Sequence, residues 1–186
     1  MIKLFKPQIE HIGKCSYSYP DLYIANLKDT KIGAFVSIGK GVRIGHGTHP
    51  QEYLSSSPYL YLDRLGYKTN KISSHNEWEN LEPIIIGNDV WIGDDVWIKN
   101  GIKIGDGAIL GAKSLITKDV PPYAVVVGSP AHVLRYRFNQ DTIARLLKSK
   151  WWNLPDEIIK QIPYDNIDKA LKYVENITGI KDGNEG

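Results

Sequence analysis

Residues 86–97 run Ile86-Gly87-Asn88-Asp89-Val90-Trp91-Ile92-Gly93-Asp94-Asp95-Val96-Trp97, which is one six-residue pattern written twice. In each copy glycine follows an isoleucine, and valine occupies the fifth position. The pattern begins at nine places, at residues 32, 38, 44, 86, 92, 98, 104, 110 and 116, always with Ile or Leu. The fifth position holds only Val, Ile, Thr, Ala or Ser. Such a repeat determines the architecture of the whole chain segment that contains it.

A period of six matches neither an α-helix (about 3.6 residues) nor a simple alternating strand (about two residues). It predicts a triangular coil in which three repeats form one turn and the first and fifth residues point inward. Successive coils would then pair as parallel strands roughly 4.8 Å apart. We expect glycine in the second position to serve the corners, since it adopts backbone conformations that other residues resist. The predicted fold class is all-β with an α-helical appendage.

The repeat is interrupted once, so that residues 50–83 form a long excursion between His49 and Ile84. Such loops inside compact domains are usually functional or disordered, and the aromatic residues of this one argue for order. After Pro121 and Pro122 the repeat stops, and the sequence predicts three short helices at 141–147, 155–160 and 166–177. We therefore divide the chain into a coil domain (1–138) and a helical extension with a tail (139–186), docked through Trp151 and Trp152.

The composition limits the classes of partner. The chain has 23 Lys and Arg against 21 Asp and Glu, a net charge of +2, and its sequence has no basic stripe, which argues against nucleic-acid binding. Cys15 is the only cysteine, so we expect no internal disulfide and a reducing compartment. We find no signal-like or membrane-spanning segment and expect a cytoplasmic protein that needs no metal.

Two segments carry a specific resemblance. Ile44-Gly45-His46-Gly47-Thr48-His49-Pro50, followed by Ser55-Ser56-Ser57-Pro58-Tyr59, resembles the catalytic loop of the xenobiotic acetyltransferase branch of hexapeptide-repeat acyltransferases. That branch includes chloramphenicol and streptogramin acetyltransferases and many sugar O-acetyltransferases. Residues 86–93, 111–122 and 128–131 match the family as well. The resemblance implies a left-handed parallel β-helix, acetyl-CoA as co-substrate, and a homotrimer with each site between neighbouring subunits.

His49 is the candidate general base, because the resemblance places that role on the histidine that opens the excursion. Imidazole titrates near neutral pH and can remove a proton from an attacking hydroxyl or amine. The alternative is an exposed surface histidine, and His46, at a corner, is the competing base. Tyr53 and His75, both in the excursion, are candidate acceptor contacts.

The same resemblance implies the contacts to acetyl-CoA, namely Trp91, Asp94, Ala112, Thr117, Lys118, His132 and Arg135. Lys118 would pair with a phosphate. His132 stands where the family usually has Lys or Arg, so Arg135 and Arg137 would have to compensate. Packing between subunits is an equal alternative for Trp91, and it is the preferred explanation for exposed Trp97.

Four functions remain open from the sequence. The preferred one is acetyl transfer from acetyl-CoA to a hydroxyl or amine of a sugar or polysaccharide precursor. The second keeps the chemistry and changes the acceptor to an antibiotic such as chloramphenicol or a streptogramin. A zinc carbonic anhydrase would need three histidine ligands, of which only His46 and His49 are close in sequence. A non-catalytic scaffold would depend on neither His49 nor CoA.

Overall fold

The computed structural model describes residues 11–25, 29–46, 49, 51–60 and 82–179. Most strands are two residues long, as a coil with short flat sides requires. The strands within the described residues are β1 (His11–Ile12), β2 (Tyr23–Ile24), β3 (Lys31–Ile32), β4 (Ser37–Ile38), β5 (Arg43–Ile44), β6 (Ile85–Ile86), β7 (Trp91–Ile92), β8 (Trp97–Ile98), β9 (Lys103–Ile104), β10 (Ile109–Leu110), β11 (Leu115–Ile116), β12 (Ala124–Gly128) and β13 (Ala131–Tyr136).

The strands form three sheets, which are the faces of a prism. Face A has the order β1-β3-β6-β9, face B β4-β7-β10-β12 with β13 at its edge, and face C β2-β5-β8-β11. The chain visits the faces in the order A, B, C and turns at corners that we name AB, BC and CA. Trp91 pairs with Ile109 and Trp97 with Leu115, both in parallel and 18 residues apart. This confirms the predicted parallel coil with three repeats in each turn.

The interior is built from the predicted positions. The first residue of each of the nine repeats is at most 3% exposed. The fifth residue is also buried wherever it is described, from Val36 at 0% to Ile102 at 7%. Burying an aliphatic side chain of this size contributes about 1.5–3 kcal/mol, so the column of Ile, Leu and Val side chains is the main source of stability of the prism.

The second-position glycines serve a different purpose from the one that we predicted. Apart from Gly45, the described ones do not have positive φ. They stand where neighbouring coils approach most closely: a Cβ on Gly33 would lie 2.5 Å from the carbonyl oxygen of Gly87, and one on Gly105 would lie 2.4 Å from the nitrogen of Pro122. The left-handed corners fall two positions later and include non-glycine residues such as Phe35, with φ near 60°. Glycine therefore permits close stacking of the coils here.

The coil extends beyond the predicted repeat at both ends. Before Ile32, His11 pairs with Lys31, Tyr17 bridges to Ser37, and Tyr23 pairs with Arg43, which adds a turn whose sequence lacks the pattern. After Pro122, β12 continues face B by pairing with β10, and β13 returns antiparallel to it. The first coil and the hairpin could not be predicted from the repeat, because neither keeps the six-residue spacing.

Three α-helices follow, close to their predicted bounds: α1 (Gln140–Ser149), α2 (Asp156–Ile159) and α3 (Ile167–Thr178). Asn139 caps α1, since its side-chain oxygen accepts a hydrogen bond from the Thr142 nitrogen at 2.8 Å. Asn166 caps α3 in the same way, with the Lys169 nitrogen 3.0 Å away. No helix within the described residues combines the length and the apolar character that a membrane span needs.

The helices dock against corner AB. The Trp151 ring lies 5.0 Å from the Phe35 ring, centroid to centroid, and Trp152 is buried, which confirms the docking role predicted for this pair. The Lys14 ammonium donates to the Asp156 carboxylate at 2.8 Å. Helices α1 and α3 are joined to each other by two hydrogen bonds of 2.7 Å between Arg145 and Glu175.

Candidate functional site

His49 lies just beyond β5, where the chain leaves face C and the excursion begins. Its side chain is exposed, and its Nδ1 lies 2.9 Å from the carbonyl oxygen of Ser56. A carbonyl oxygen can only accept, so this hydrogen bond places the proton on Nδ1. In the neutral ring Nε2 is then the nitrogen that accepts a proton. The loop itself therefore selects the tautomer that carries its proton on Nδ1.

The start of the excursion is held by the next coil. The side-chain amide of Asn100 donates to the carbonyl oxygen of His46 at 2.7 Å and accepts from the His46 nitrogen at 3.2 Å. The pairing of Arg43 with Trp97 puts His46 and Asn100 at the same height of corner CA. His46 thus contributes its backbone to the base of the loop.

The end of the excursion returns to the same corner. The Gly101 nitrogen donates to the carbonyl oxygen of Glu82 at 3.2 Å. Gly101 has φ +74°, and a Cβ there would meet the side chain of Glu82. Asn100 and Gly101 together therefore receive both ends of the chain segment that carries His49.

Register places the predicted CoA contacts on different edges. Lys118 stacks one coil beyond Asn100, so Thr117 and Lys118 share corner CA with the base of the His49 loop. Asp94 and Ala112 lie at corner BC, across face C. The carboxylate of Asp94 accepts from the Lys40 nitrogen at 2.8 Å, which gives this side chain a structural contact of its own.

The tryptophans lie on two faces. Trp97 is 45% exposed on face C, where the guanidinium of Arg43 lies 5.4 Å from its ring and 5.6 Å from that of Tyr23. This stacking lies within one chain, so the packing between subunits that we preferred for Trp97 stays a prediction. Trp91 is 57% exposed on face B, whereas His49 follows face C. Within one chain these two residues lie on different sides of the prism.

The basic residues of the hairpin differ in their availability. His132 and Arg135 are exposed on β13, and Arg135 donates to the Tyr136 carbonyl oxygen at 3.1 Å. Arg137 is committed elsewhere: it donates to the Asp89 carboxylate at 2.9 Å and to the Gly107 carbonyl oxygen at 2.8 Å. The expectation that Arg137 compensates for His132 at a phosphate is therefore wrong, because Arg137 ties the extension to corner AB.

Corner AB also holds a cavity of about 820 Å³ between the prism and the helices. Among the described residues that the sequence suggested for the site, only Arg137 lines it; its walls also include Phe35, Asp89, Tyr123 and Trp151. Burial raises the pKa of Asp89, with Arg137 opposing the rise. Burial, and secondly the charge of Asp89, raises the pKa of Tyr123 well above its ordinary value. These shifts follow from the docking of the helices and are not associated with His49.

The two candidate acceptor contacts, Tyr53 and His75, both belong to the excursion. Tyr53 is 44% exposed in the described segment 51–60, so its side chain is accessible. His75 lies outside the described residues. Among the residues that the structure does describe, no group of three or more His, Cys, Asp or Glu side chains is arranged to hold a metal.

Sequence reasoning missed Asn100, Glu82 and the Ser56 carbonyl. One signal pointed to the first of these. The repeats beginning at Ile44 and Ile98 each close a set of three, so their third residues, His46 and Asn100, had to share a corner. The other two were not accessible, because the excursion has no period from which their place could be calculated.

The chain resembles several known proteins. The profile of the bacterial transferase hexapeptide family (six repeats) matches residues 83–118. A chloramphenicol acetyltransferase from Agrobacterium fabrum (strain C58 / ATCC 33970) is 42% identical over 132 residues, 69% of this chain and 62% of that protein. A probable macrolide acetyltransferase from Lysinibacillus sphaericus is 36% identical over 140 residues, 74% of each chain.

Two further relatives bear on acceptor and co-substrate. A galactoside O-acetyltransferase from Escherichia coli (strain K12) is 34% identical over 128 residues, 67% of this chain and 53% of that protein. A hexapeptide-repeat acetyltransferase from Vibrio cholerae O1 biovar eltor, solved with acetyl coenzyme A, has a TM-score of 0.52 and 29% identity over 69% of this chain and 60% of that chain.

The match to the chloramphenicol acetyltransferase spans 62% of that protein's length, whereas the match to the macrolide acetyltransferase spans 74% of its length. The six-residue repeat, the loop that opens at His49 and these similarities agree with one another. The chain belongs to the hexapeptide-repeat acyltransferases, in their xenobiotic acetyltransferase branch.

Proposed function

We propose that the protein transfers an acetyl group from acetyl-CoA to a hydroxyl of an antibiotic of the chloramphenicol or macrolide kind, with His49 as general base. The observation that carries the proposal is the hydrogen bond of 2.9 Å between His49 Nδ1 and the Ser56 carbonyl oxygen. It orients the imidazole and leaves the proton-accepting role to Nε2. The names of the relatives support the acetyl donor and the class of acceptor.

The reaction needs no covalent intermediate on the protein. Nε2 of His49 removes the proton from the acceptor hydroxyl as its oxygen attacks the thioester carbonyl carbon. The C–S bond then breaks, and the CoA thiolate leaves and takes the proton from the imidazolium. The products are the acetyl ester and free CoA thiol, so atoms and charge balance. A positioned base of this kind accelerates a reaction by about 10²–10⁴-fold.

The proposed site forms between two copies of a homotrimer whose coils wind left-handed, as the family resemblance implies. Support comes from the placement of the predicted residues on separate edges of one chain. His49, Thr117 and Lys118 would face Trp91, Asp94 and Ala112 of a neighbouring copy. The groups for the phosphates would be Lys118, His132 and Arg135, which are all exposed.

A sugar is the second candidate acceptor. The galactoside O-acetyltransferase supports it, and an exposed aromatic side chain such as that of Tyr53 can stack on a sugar ring. The antibiotic acceptor is better supported, because the relatives named for antibiotics are 36–42% identical and the galactoside enzyme is 34% identical. This reverses the order of preference that the sequence alone suggested. Membership of an acyltransferase family also favours acyl transfer over carbonate hydration and over a passive scaffold.

The test is to follow release of free CoA thiol from acetyl-CoA with chloramphenicol, a macrolide, a streptogramin and galactosides as acceptors. We expect release with one of the antibiotics, and a fall in kcat of about 10²–10⁴-fold in His49→Ala. His46→Ala removes the competing imidazole and leaves its backbone bonds to Asn100 in place.

Each other outcome has a defined meaning. A larger loss in His46→Ala than in His49→Ala would transfer the role of base to His46. Release with galactosides alone would establish the second candidate. The absence of both CoA binding and thiol release would refute the acetyltransferase proposal.

A further inference from the structure

The geometry points to Asn100 as the positioning residue of the catalytic base: we infer that its side-chain amide fixes the base of the excursion and thereby the place of the His49 imidazole. This inference rests on the proposed function and deepens it. Asn100 is not a catalytic residue in this account, because it contacts the backbone of His46 and acts through it.

The contact between Asn100 and His46 is a matched pair of hydrogen bonds. Nδ2 donates to the His46 carbonyl oxygen at 2.7 Å, and Oδ1 accepts from the His46 nitrogen at 3.2 Å. One planar amide thus satisfies the donor and the acceptor of one residue, as a neighbouring strand would. Among side chains of this length, only an amide supplies both groups: a carboxylate loses the donor, and an aliphatic side chain loses both.

The location of this pair explains its consequence for His49. Gly45 has φ +73° and cannot carry a Cβ, which would lie 2.6 Å from Asn100 Oδ1, so the chain turns directly against the amide. Three residues after His46, His49 bonds to the Ser56 carbonyl oxygen. The amide therefore holds the chain to the coil three residues before the base.

The second end of the excursion strengthens the argument. The Glu82 carbonyl oxygen accepts from the nitrogen of Gly101, the residue next to Asn100. The described residues at the two ends of the segment, His46 and Glu82, thus meet one two-residue corner, so a displacement of that corner displaces both ends. Because reacting atoms must meet within a few tenths of an ångström, a displacement of about 1 Å lowers a rate by about 10²-fold.

Asn88 offers a matched control. It occupies the equivalent third position of the repeat that begins at Ile86, its Oδ1 accepts from the Ala34 nitrogen at 2.9 Å, and its Nδ2 donates to Asp106 at 2.8 Å. It therefore braces corner AB as Asn100 braces corner CA, and its hydrogen bonds within the described part of the chain go to Ala34 and Asp106 and not to the segment that carries His49. Asn88→Leu removes a corner amide that is not bonded to His46, whereas Asn100→Leu removes the amide that is bonded to His46.

The first measurement is kcat of Asn100→Leu and of the near-isosteric Asn100→Asp, each in the native chain and in the His49→Ala background. We expect a fall in kcat of about 10–100-fold in the native chain and of less than about threefold when His49 is already absent, since a positioning effect disappears with the group that it positions. In the Asn100 variants the KM for acetyl-CoA should stay within about twofold of the native value. In the control Asn88→Leu the kcat should also stay within about twofold of the native value.

The second measurement does not depend on activity. Deuterium uptake by peptides covering residues 51–60 should rise in Asn100→Leu and Asn100→Asp, and remain at the native level in Asn88→Leu. Unchanged uptake in both Asn100 variants, or equal losses of kcat with and without His49, would overturn the inference. A native protein that acetylates no acceptor would overturn the proposed function, and with it the catalytic part of the inference, while deuterium uptake would still decide whether Asn100 anchors the loop.

Discussion

Corners AB and CA are built on the same repeat but serve opposite purposes. At corner AB the side chains of Phe35, Asp89 and Tyr123 leave left-handed backbone positions and pack against the C-terminal helices. At corner CA the stack consists of His46, Asn100 and Lys118, and the chain leaves the prism there through the segment that carries His49. One edge is closed by a second layer of structure, whereas at the other the described side chains of His49 and Lys118 are exposed.

This contrast shows that the repeat specifies the path of the backbone, whereas the side chains at each corner determine what packs against it. Aromatic side chains at corner AB offer area to bury, and Arg137 supplies the charge that Asp89 needs in that setting. An amide at corner CA offers hydrogen bonds to a chain that leaves the coil. Variants at equivalent positions of the two corners should therefore affect different properties.

The largest expected effect on stability is that of Gly107→Ala at corner AB. Gly107 has φ +69°, and a Cβ would overlap the ring of Tyr123, which is 1% exposed. The left-handed backbone and the overlap together should lower the free energy of unfolding by about 2–5 kcal/mol. Thermal and denaturant unfolding would measure it, and kcat of the folded protein should not change. A loss below about 1 kcal/mol would show that the packing at corner AB is loose.

The counterpart at corner CA is Gly101→Ala, which we expect to have a smaller effect on stability and a larger one on activity. Gly101 has φ +74°, but the atom closest to a new Cβ is the carboxylate of Glu82, the end of a flexible and exposed side chain. Unfolding should become easier by about 1–2 kcal/mol, the backbone contribution alone. Because Glu82 ends the excursion, kcat should fall, as measured by thiol release at a temperature where the variant is fully folded. Equal effects of the two alanine variants on both properties would remove the distinction between the corners.

The smallest expected effect is a change in pH dependence in Asp89→Asn. Burial raises the pKa of Asp89 above its ordinary 3.8, with Arg137 opposing the rise. An acid with a raised pKa in the folded state costs stability when it is ionised, and this cost disappears as pH falls below the unfolded value. The quantity to compare is the free energy of unfolding of the variant minus that of the native protein. This difference should become smaller as the pH is lowered from neutral to about pH 4. A difference that rises towards acid would mean that Arg137 lowers the pKa of Asp89.

The sequence was informative wherever the period held. It predicted the parallel coil, the buried first and fifth positions, the exposed Trp91 and Trp97 and the three helices, because each follows from a spacing or from a capping residue. It was less informative where the period failed. The coil that precedes Ile32 and the hairpin β12–β13 are specified by pairing with neighbours, which leaves no local pattern in sequence.

The candidate site could be predicted only in part, for a similar reason. His49 was identified by its resemblance to a family loop, and its role as base stays a prediction, since a general base and an ordinary surface histidine would both be exposed. The partners that hold it are a backbone carbonyl at Ser56 and, through His46, an amide 54 residues further along the chain. Backbone partners have no signature in side-chain identity, and a partner so distant is found only after the coil is built. The assignments of the CoA contacts stay predictions.

The close meeting of the two ends of the excursion has a consequence for how this chain tolerates insertions. Since Asn100 and Gly101 hold both ends, the described contacts that close the excursion do not depend on the length of chain between them. The closure entropy of a flexible loop grows only with the logarithm of its length, so doubling the loop would cost about 0.6 kcal/mol. Whole excursions could therefore be exchanged between related chains at this point, and acceptor preference could be altered by grafting a loop, with the coil left untouched.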